Sequence, residues 1–353
     1  MYCFIHAGLH KTGSTSLQEL FFQNAKALQQ EGLLYPTLSA RHRQHVGLAK
    51  ALQTRSDDGS ALIRAFEAEI ATQSHDALLL SAEWVSTVMS KPEGSRLVEY
   101  VRALGYRPVV FVYLRHQPQM TNSQYLQGVR TLNFSGSLSE LIESRRETST
   151  DNKGFLPQIE SLGDDIVFRP FNEQMRRGGV ERDFLTALDR RLDRQGRLAA
   201  FADRSQGKRE NVSTEGPILV EVLRGMRRRI EGALSRRERT LLARKAVAMC
   251  TRRVGPEPTY CGLDTALAQS IEERHRAAND AIARAAWNMS WEDAFGADVG
   301  RTYQCNDLHV TGNRAGLVAA RAMIERLVTL APGWIETLRQ RQASETDPAK
   351  AFA

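Results

Sequence analysis

The first 170 residues alternate short apolar runs with longer stretches whose apolar positions recur at helical spacing, the pattern of an α/β chain. Tyr2 to His6 reads as a buried strand. A glycine-bearing turn follows, and Thr15 to Gln30 carries Leu17, Leu20, Phe21 and Leu28 on one helical face. Leu33 to Tyr35 is a short strand ended by Pro36, and Ser60 to Ser74, with Leu62, Ile63, Phe66 and Ile70, is a further helix. Asp76 to Ser81, Pro108 to Leu114 and Asp165 to Arg169 supply the remaining strands. Strands separated by helices in this way pair in parallel through right-handed crossovers.

After about residue 205 the strand pattern stops. Ser205 to Glu215 is polar, and helical patterns run from Pro217 to about Arg253 and from Leu263 to Ala286. The expected organisation is a three-layer α/β core with a central parallel sheet over residues 1–205. A helical C-terminal cap of the same domain covers 206–340, and a loose tail 341–353.

Composition narrows the class. With 42% hydrophobic and 25% charged residues, wholesale disorder is excluded. No apolar run approaches 18 residues, and the N-terminus has no basic region ahead of its five-residue apolar stretch, so a soluble cytoplasmic protein is expected. The net charge of +7 comes from 48 Lys+Arg against 41 Asp+Glu, and only eight of the 48 are lysine. Genome composition accounts for such a skew, as does a surface facing acidic partners; the excess is too diffuse to indicate nucleic acid. Arg224, Arg227, Arg228, Arg229, Arg236, Arg237, Arg239 and Arg244 crowd one segment, read as a solvated helix face with a weak attraction to anionic surfaces. Cys3, Cys250, Cys261 and Cys305 form neither a CxxC pair nor a zinc spacing, so reduced thiols are expected.

The candidate chemistry lies at two strand ends. Gly8-Leu9-His10-Lys11-Thr12-Gly13-Ser14-Thr15-Ser16 follows a strand and opens a helix, where backbone N–H groups and the helix dipole bind anions. Gly8 and Gly13 have the separation of the nucleotide-triphosphate loop, and Thr15 takes the place of its hydroxyl. Its lysine is displaced: Ser14 fills that slot and Lys11 sits inside the loop. A Mg²⁺-dependent kinase also wants an Asp ending a neighbouring strand, whereas these strands end in Ser81-Ala82-Glu83 and Leu114-Arg115. At the second strand end, Arg115 precedes a helix begun by Pro118, and Ser123 falls about two turns on, able to share one oxyanion with it.

Together these elements resemble sulfotransferases that use 3′-phosphoadenosine 5′-phosphosulfate (PAPS), closest to bacterial carbohydrate-type members. His6 to Gln18 resembles their 5′-phosphosulfate loop, and Arg115 with Ser123 their 3′-phosphate-binding strand and helix. Weaker similarity continues through Ile166 to Phe171, Arg209 to Ser213 and Asn279 to Phe295. Two departures bear on the acceptor: Asp151 to Leu156 lacks the Tyr expected there, and a basic, Cys-containing extension follows Phe295. The resemblance implies a P-loop-type fold and sulfuryl transfer from PAPS, without metal, to a hydroxyl of a glycan, a glycolipid or a small acceptor.

Under that implication, Gly8, His10, Lys11, Thr12, Gly13, Ser14, Thr15, Ser16, Arg115 and Ser123 bind the nucleotide. Lys11 stabilises charge on the bridging oxygen, the amides from Thr12 to Ser16 hold the 5′-phosphate, and the Thr15 and Ser16 hydroxyls add donors. The acceptor needs a general base. Glu83, at the end of the strand finishing at Ser81, ranks first; His45, in the stretch after the first helix, ranks second. Two other classes fit parts of the pattern: a Mg²⁺-dependent nucleotide kinase with an atypical loop, and a non-catalytic module that binds a nucleotide or polyanion. Oligomeric state has no signature in the sequence.

Overall fold

Each strand is a short apolar run, and a parallel sheet covered on both faces is the arrangement that buries such runs. The computed structural model describes residues 1–9, 11–38, 43–54, 57–83, 96–144, 157, 165–205, 215–230 and 232–345. Strands β1 (Tyr2–His6), β2 (Leu33–Leu34), β3 (Ala77–Ser81), β4 (Arg107–Leu114) and β5 (Ile166–Pro170) form one sheet in the order β2-β3-β1-β4-β5. Every pairing is parallel. His6 stands opposite Ser81 on one side and Phe111 on the other, and β4 and β5 run on together to Leu114 and Pro170.

Alternate side chains feed two cores. Cys3, Ile5, Leu78, Leu80, Val110 and Val112 point to one face, where they meet Leu48, Phe66, Leu97, Val101, Ile282 and Phe295. Phe4, Leu79, Val109, Phe111 and Tyr113 point to the other, against Leu17, Phe21, Phe184, Leu188 and Leu198. Helices thus cover both faces, and the fold is three-layer α/β as the pattern predicts.

The chain divides into two compact units. The first, holding the sheet, comprises Met1–Met120, Thr150–Val212 and Ser270–Arg301; the second comprises Thr121–Ser149, Ser213–Gln269 and Thr302–Ala353. Helices Leu138–Ser144, Pro217–Arg229, Arg236–Arg253 and Arg314–Glu345 belong to the second unit. Two expected helices are each split. The first breaks at Asn24, whose side chain donates to the Leu20 carbonyl (2.9 Å), giving Ser14–Gln23 and Ala25–Gln30. The run from Pro217 breaks between Arg229 and Arg236, where Gly232 takes φ 82° and Ser235 with Glu238 forms a capping box that starts a new helix. The last helix passes Arg341, where the loose tail was expected to begin, and residues 346–353 lie outside the described residues.

The arginine-rich segment is not simply a solvated face. Arg224 is 5% exposed and donates to Asp307 at 2.8 Å, and the same Asp307 oxygen accepts from the Tyr260 hydroxyl at 2.8 Å. Burial alone would raise the Asp307 pKa, but the Tyr260 hydrogen bond and the Arg224 charge outweigh it and hold the carboxyl below its ordinary value. Arg228 pairs with Glu221 and Arg229 with Glu325.

Removing one partner of a buried ion pair leaves the other charge uncompensated. Asp307→Ala is therefore expected to cost roughly 3 kcal/mol in urea unfolding. Arg229→Ala, which breaks an exposed pair, should leave the midpoint nearly unchanged.

Candidate functional site

Parallel pairing places all the strand carboxyl ends on one edge, and β1 has a neighbour on each side reached by a different crossover. The segment after β1 therefore sits at the topological switch of the sheet, where such folds bind ligands. Lys11 and Gly13 both take left-handed backbone conformations, with φ 69° and 82°, on either side of Thr12. Alternation of this kind curls the backbone so that successive amides converge, the geometry of an anion nest. Among the described residues, the amides of Thr12, Gly13, Ser14 and Thr15 meet no acceptor. They precede helix Ser14–Gln23 or open it, so the helix dipole adds positive potential at the same point.

Three contacts hold the loop. The Thr12 hydroxyl donates to the Leu9 carbonyl at 2.6 Å. Nη1 of Arg115, the residue after β4, donates to the Lys11 carbonyl at 2.7 Å, and its guanidinium lies 5.8 Å from the Phe171 ring centroid. Gly13 abuts Val180: a Cβ there would come 2.7 Å from Val180 Cγ1, so glycine is required by packing as well as by φ.

Beneath the loop lies a buried polar group. His6 is fully buried; its Nδ1 is 2.9 Å from Ser81 Oγ, which also accepts from the Gln18 amide at 3.2 Å. Its Nε2 and the buried Ser14 Oγ have no hydrogen-bond partner among the described residues. Both lie 2.6 Å from the point where a Cβ on Gly8 would stand. Burial pushes the His6 pKa down from 6.5 to about 4, opposed in part by the charge of Glu83. The ring is neutral at ordinary pH. Glu83 follows Ala82 at the end of β3 and is half-buried.

The sequence candidates separate under this geometry. Gly8, Lys11 to Ser16, Glu83 and Arg115 share the carboxyl edge of the sheet. His45 does not suit the role of base: its Nδ1 accepts from the Ser81 amide at 3.0 Å, so its Nε2–H donates to the Pro36 carbonyl at 2.8 Å. Both nitrogens are committed to backbone and the ring is buried. The Ser16 hydroxyl, expected as a ligand donor, donates to Glu181 instead. Thr15 is exposed and Thr12 is used within the loop. Ser123 lies on helix Gln117–Arg130, in the part assigned to the second unit. His10, residues 151–156 and Arg209 to Ser213 lie outside the described residues.

Sequence reasoning missed His6, Phe171, Glu181 and a polar seam immediately after Arg115. Buried His116 faces Glu272 at 3.0 Å, Gln117 and Asn279 exchange amide hydrogen bonds at 2.6 and 2.8 Å, and Asp298 accepts from Gln119 and Arg176, both at 2.6 Å. The seam ties segment 270–301 to the end of β4. Its one signal was the run His116-Gln117, polar residues directly after a buried strand.

The unfolded chain takes up a proton at His6 as pH falls below 6.5, and the folded chain does so only near 4. Stability should therefore fall with pH across that window, by roughly 3 kcal/mol in all for a shift of this size. In urea unfolding at several pH values, His6→Leu is expected to flatten the acid limb between pH 6.5 and 4 relative to the native chain.

The chain matches no family model, no curated protein and no solved structure, so the reading of this site rests on its geometry and its motifs.

Proposed function

We propose that the protein is a PAPS-dependent sulfotransferase acting on an acceptor hydroxyl, of a glycan, a glycolipid or a small molecule. The observation that carries the reading is the hydrogen bond from Arg115 to the Lys11 carbonyl, which brings the two anion-binding elements of the sequence to one place. Among the described residues the amides of Thr12 to Thr15 and the Ser14 hydroxyl beside Gly8 have no partner, which fits a loop built to take oxyanion acceptors from a ligand.

Each residue then has a task that its surroundings support. The amides of Thr12 to Thr15 hold the 5′-phosphate, and Ser14 Oγ adds a neutral donor beside them. Lys11 places its ammonium against the oxygen that bridges phosphorus and sulfur, where negative charge grows as the S–O bond breaks. Arg115, held beside the loop by its bond to the Lys11 carbonyl, is the cation assigned to the 3′-phosphate. Glu83 takes the proton of the acceptor hydroxyl as the new S–O bond forms. Alignment and charge stabilisation supply the rate, and no covalent enzyme intermediate is needed.

Two measurements test this. Saturating 3′-phosphoadenosine 5′-phosphate, at roughly 100 times its dissociation constant, should add about 2.7 kcal/mol of stability in a thermal shift. A shift with ATP and Mg²⁺ alone would favour a kinase and overturn the reading. In a sulfuryl-transfer assay, Lys11→Ala is expected to lower kcat by about a hundredfold or more. Glu83→Gln should lower kcat by roughly 10²–10⁴ with KM little changed, and His45→Asn should lower stability without that selective loss of kcat.

A further inference from the structure

Beyond the loop, the first unit has a cleft of about 360 Å³ at the end of β5, within the size range of small-molecule sites. Its charged lining is one-sided. Arg169 comes from β5, and Arg182 and Arg190 come from helix Val180–Leu192, where with Thr186 they repeat every four residues and so share one face. Against these three guanidinium groups stands one carboxylate, Asp183. It is already bonded by Arg169, whose Nε donates at 3.0 Å and whose Nη2 reaches the other oxygen, and by the Tyr113 hydroxyl at 2.9 Å. Arg182 and Arg190 are exposed, and the contact of Arg182 to Asp203 is long, at 3.4 Å. The wall at Gly178 is bare backbone, since a Cβ there would meet nothing within 4 Å.

We propose that this cleft is a subsite for a sugar bearing a sulfate or phosphate ester. Guanidinium forks match the oxygens of a tetrahedral oxoanion and bind it with two hydrogen bonds at a time. Arg169 is held rigid by its Asp183 pair, Arg182 has only the long, exposed contact to Asp203, and Arg190 has no carboxylate partner among the described residues. The Thr186 hydroxyl between them offers a neutral group to sugar hydroxyls. Its lining lacks the aromatic stacking faces that a nucleobase would use. This inference stands whether or not the loop binds PAPS.

The test is calorimetric titration of the full chain with glucose 6-sulfate, glucose 6-phosphate and uncharged glucose. Binding of either ester, with none of glucose, is expected, and the stronger ester identifies the natural anion. The Arg182→Ala/Arg190→Ala double variant should weaken binding about tenfold or more. Thr186→Glu, which sets a carboxylate between the two arginines, should do the same, while Lys11→Ala leaves binding unchanged. Ester binding that survives both cleft variants, or that disappears with Lys11→Ala, would assign the anion elsewhere and overturn the proposal. So would equal binding of glucose, or no heat with either ester at about 10 mM.

Discussion

A hydrogen bond of 2.7 Å, from Nη1 of Arg115 to the Lys11 carbonyl, joins the ends of the two adjacent strands β4 and β1. The loop needs such an anchor. A lysine at φ 69° occupies a region that side chains disfavour, and such a conformation persists only where its surroundings over-determine it. Arg115 fixes the carbonyl, Thr12 closes the preceding turn on Leu9, and Gly13 is pressed against Val180. The curl that results turns four amides away from any acceptor among the described residues. Parallel order makes this possible, because it brings the residue after β4 to the same edge as the residue after β1.

The buried polar groups near that edge divide into satisfied and unsatisfied sets, and the division is informative. His45 uses both nitrogens on backbone, one toward the end of β3 and one toward Pro36, and so braces the strand beside β1. In the seam, Gln117 and Asn279 bond reciprocally and Asp298 accepts from Gln119, which fixes the residues that follow Arg115. Beside Gly8, His6 Nε2 and Ser14 Oγ have no hydrogen-bond partner among the described residues, and in the seam His116 Nδ1 has none either. Orphaned groups are costly in a folded interior and call for a reason. A loop that receives an anion supplies one, because its donors must stay unpaired until the ligand arrives.

Strands were legible because each is a short run dominated by apolar residues, and the order of those runs with intervening helices leaves few topologies. The loop was legible because Gly13, one of its two left-handed positions, and the helix start that follows both leave marks in the sequence, whereas the left-handed Lys11 leaves none. Helix ends were harder to read. Nothing in the periodicity of Thr15 to Gln30 announces that Asn24 bonds back to Leu20 and breaks the helix. The partners of single side chains were not legible at all. His45 looks like a base until Ser81 and Pro36 are placed around it, and Ser16 looks like a ligand donor until Glu181, 165 positions away, arrives beside it. These contacts are made by tertiary packing, which no local pattern encodes.

The arginine excess shows the same limit from the other direction. As a composition it suggests a basic surface, yet many of the guanidinium groups are neutralised at home. Arg224 is buried with Asp307, Arg176 is bonded to Asp298, and Arg169 is bound by Asp183. Such pairs are there for geometry: a planar fork bonded to a carboxylate is held in one orientation, and what packs against it is held too. Arg115 works in this way on a carbonyl at the sheet edge. The charge available for ligands is therefore local, set by which guanidinium groups lack an internal carboxylate and where the fold presents them. A net charge of +7 measures neither quantity.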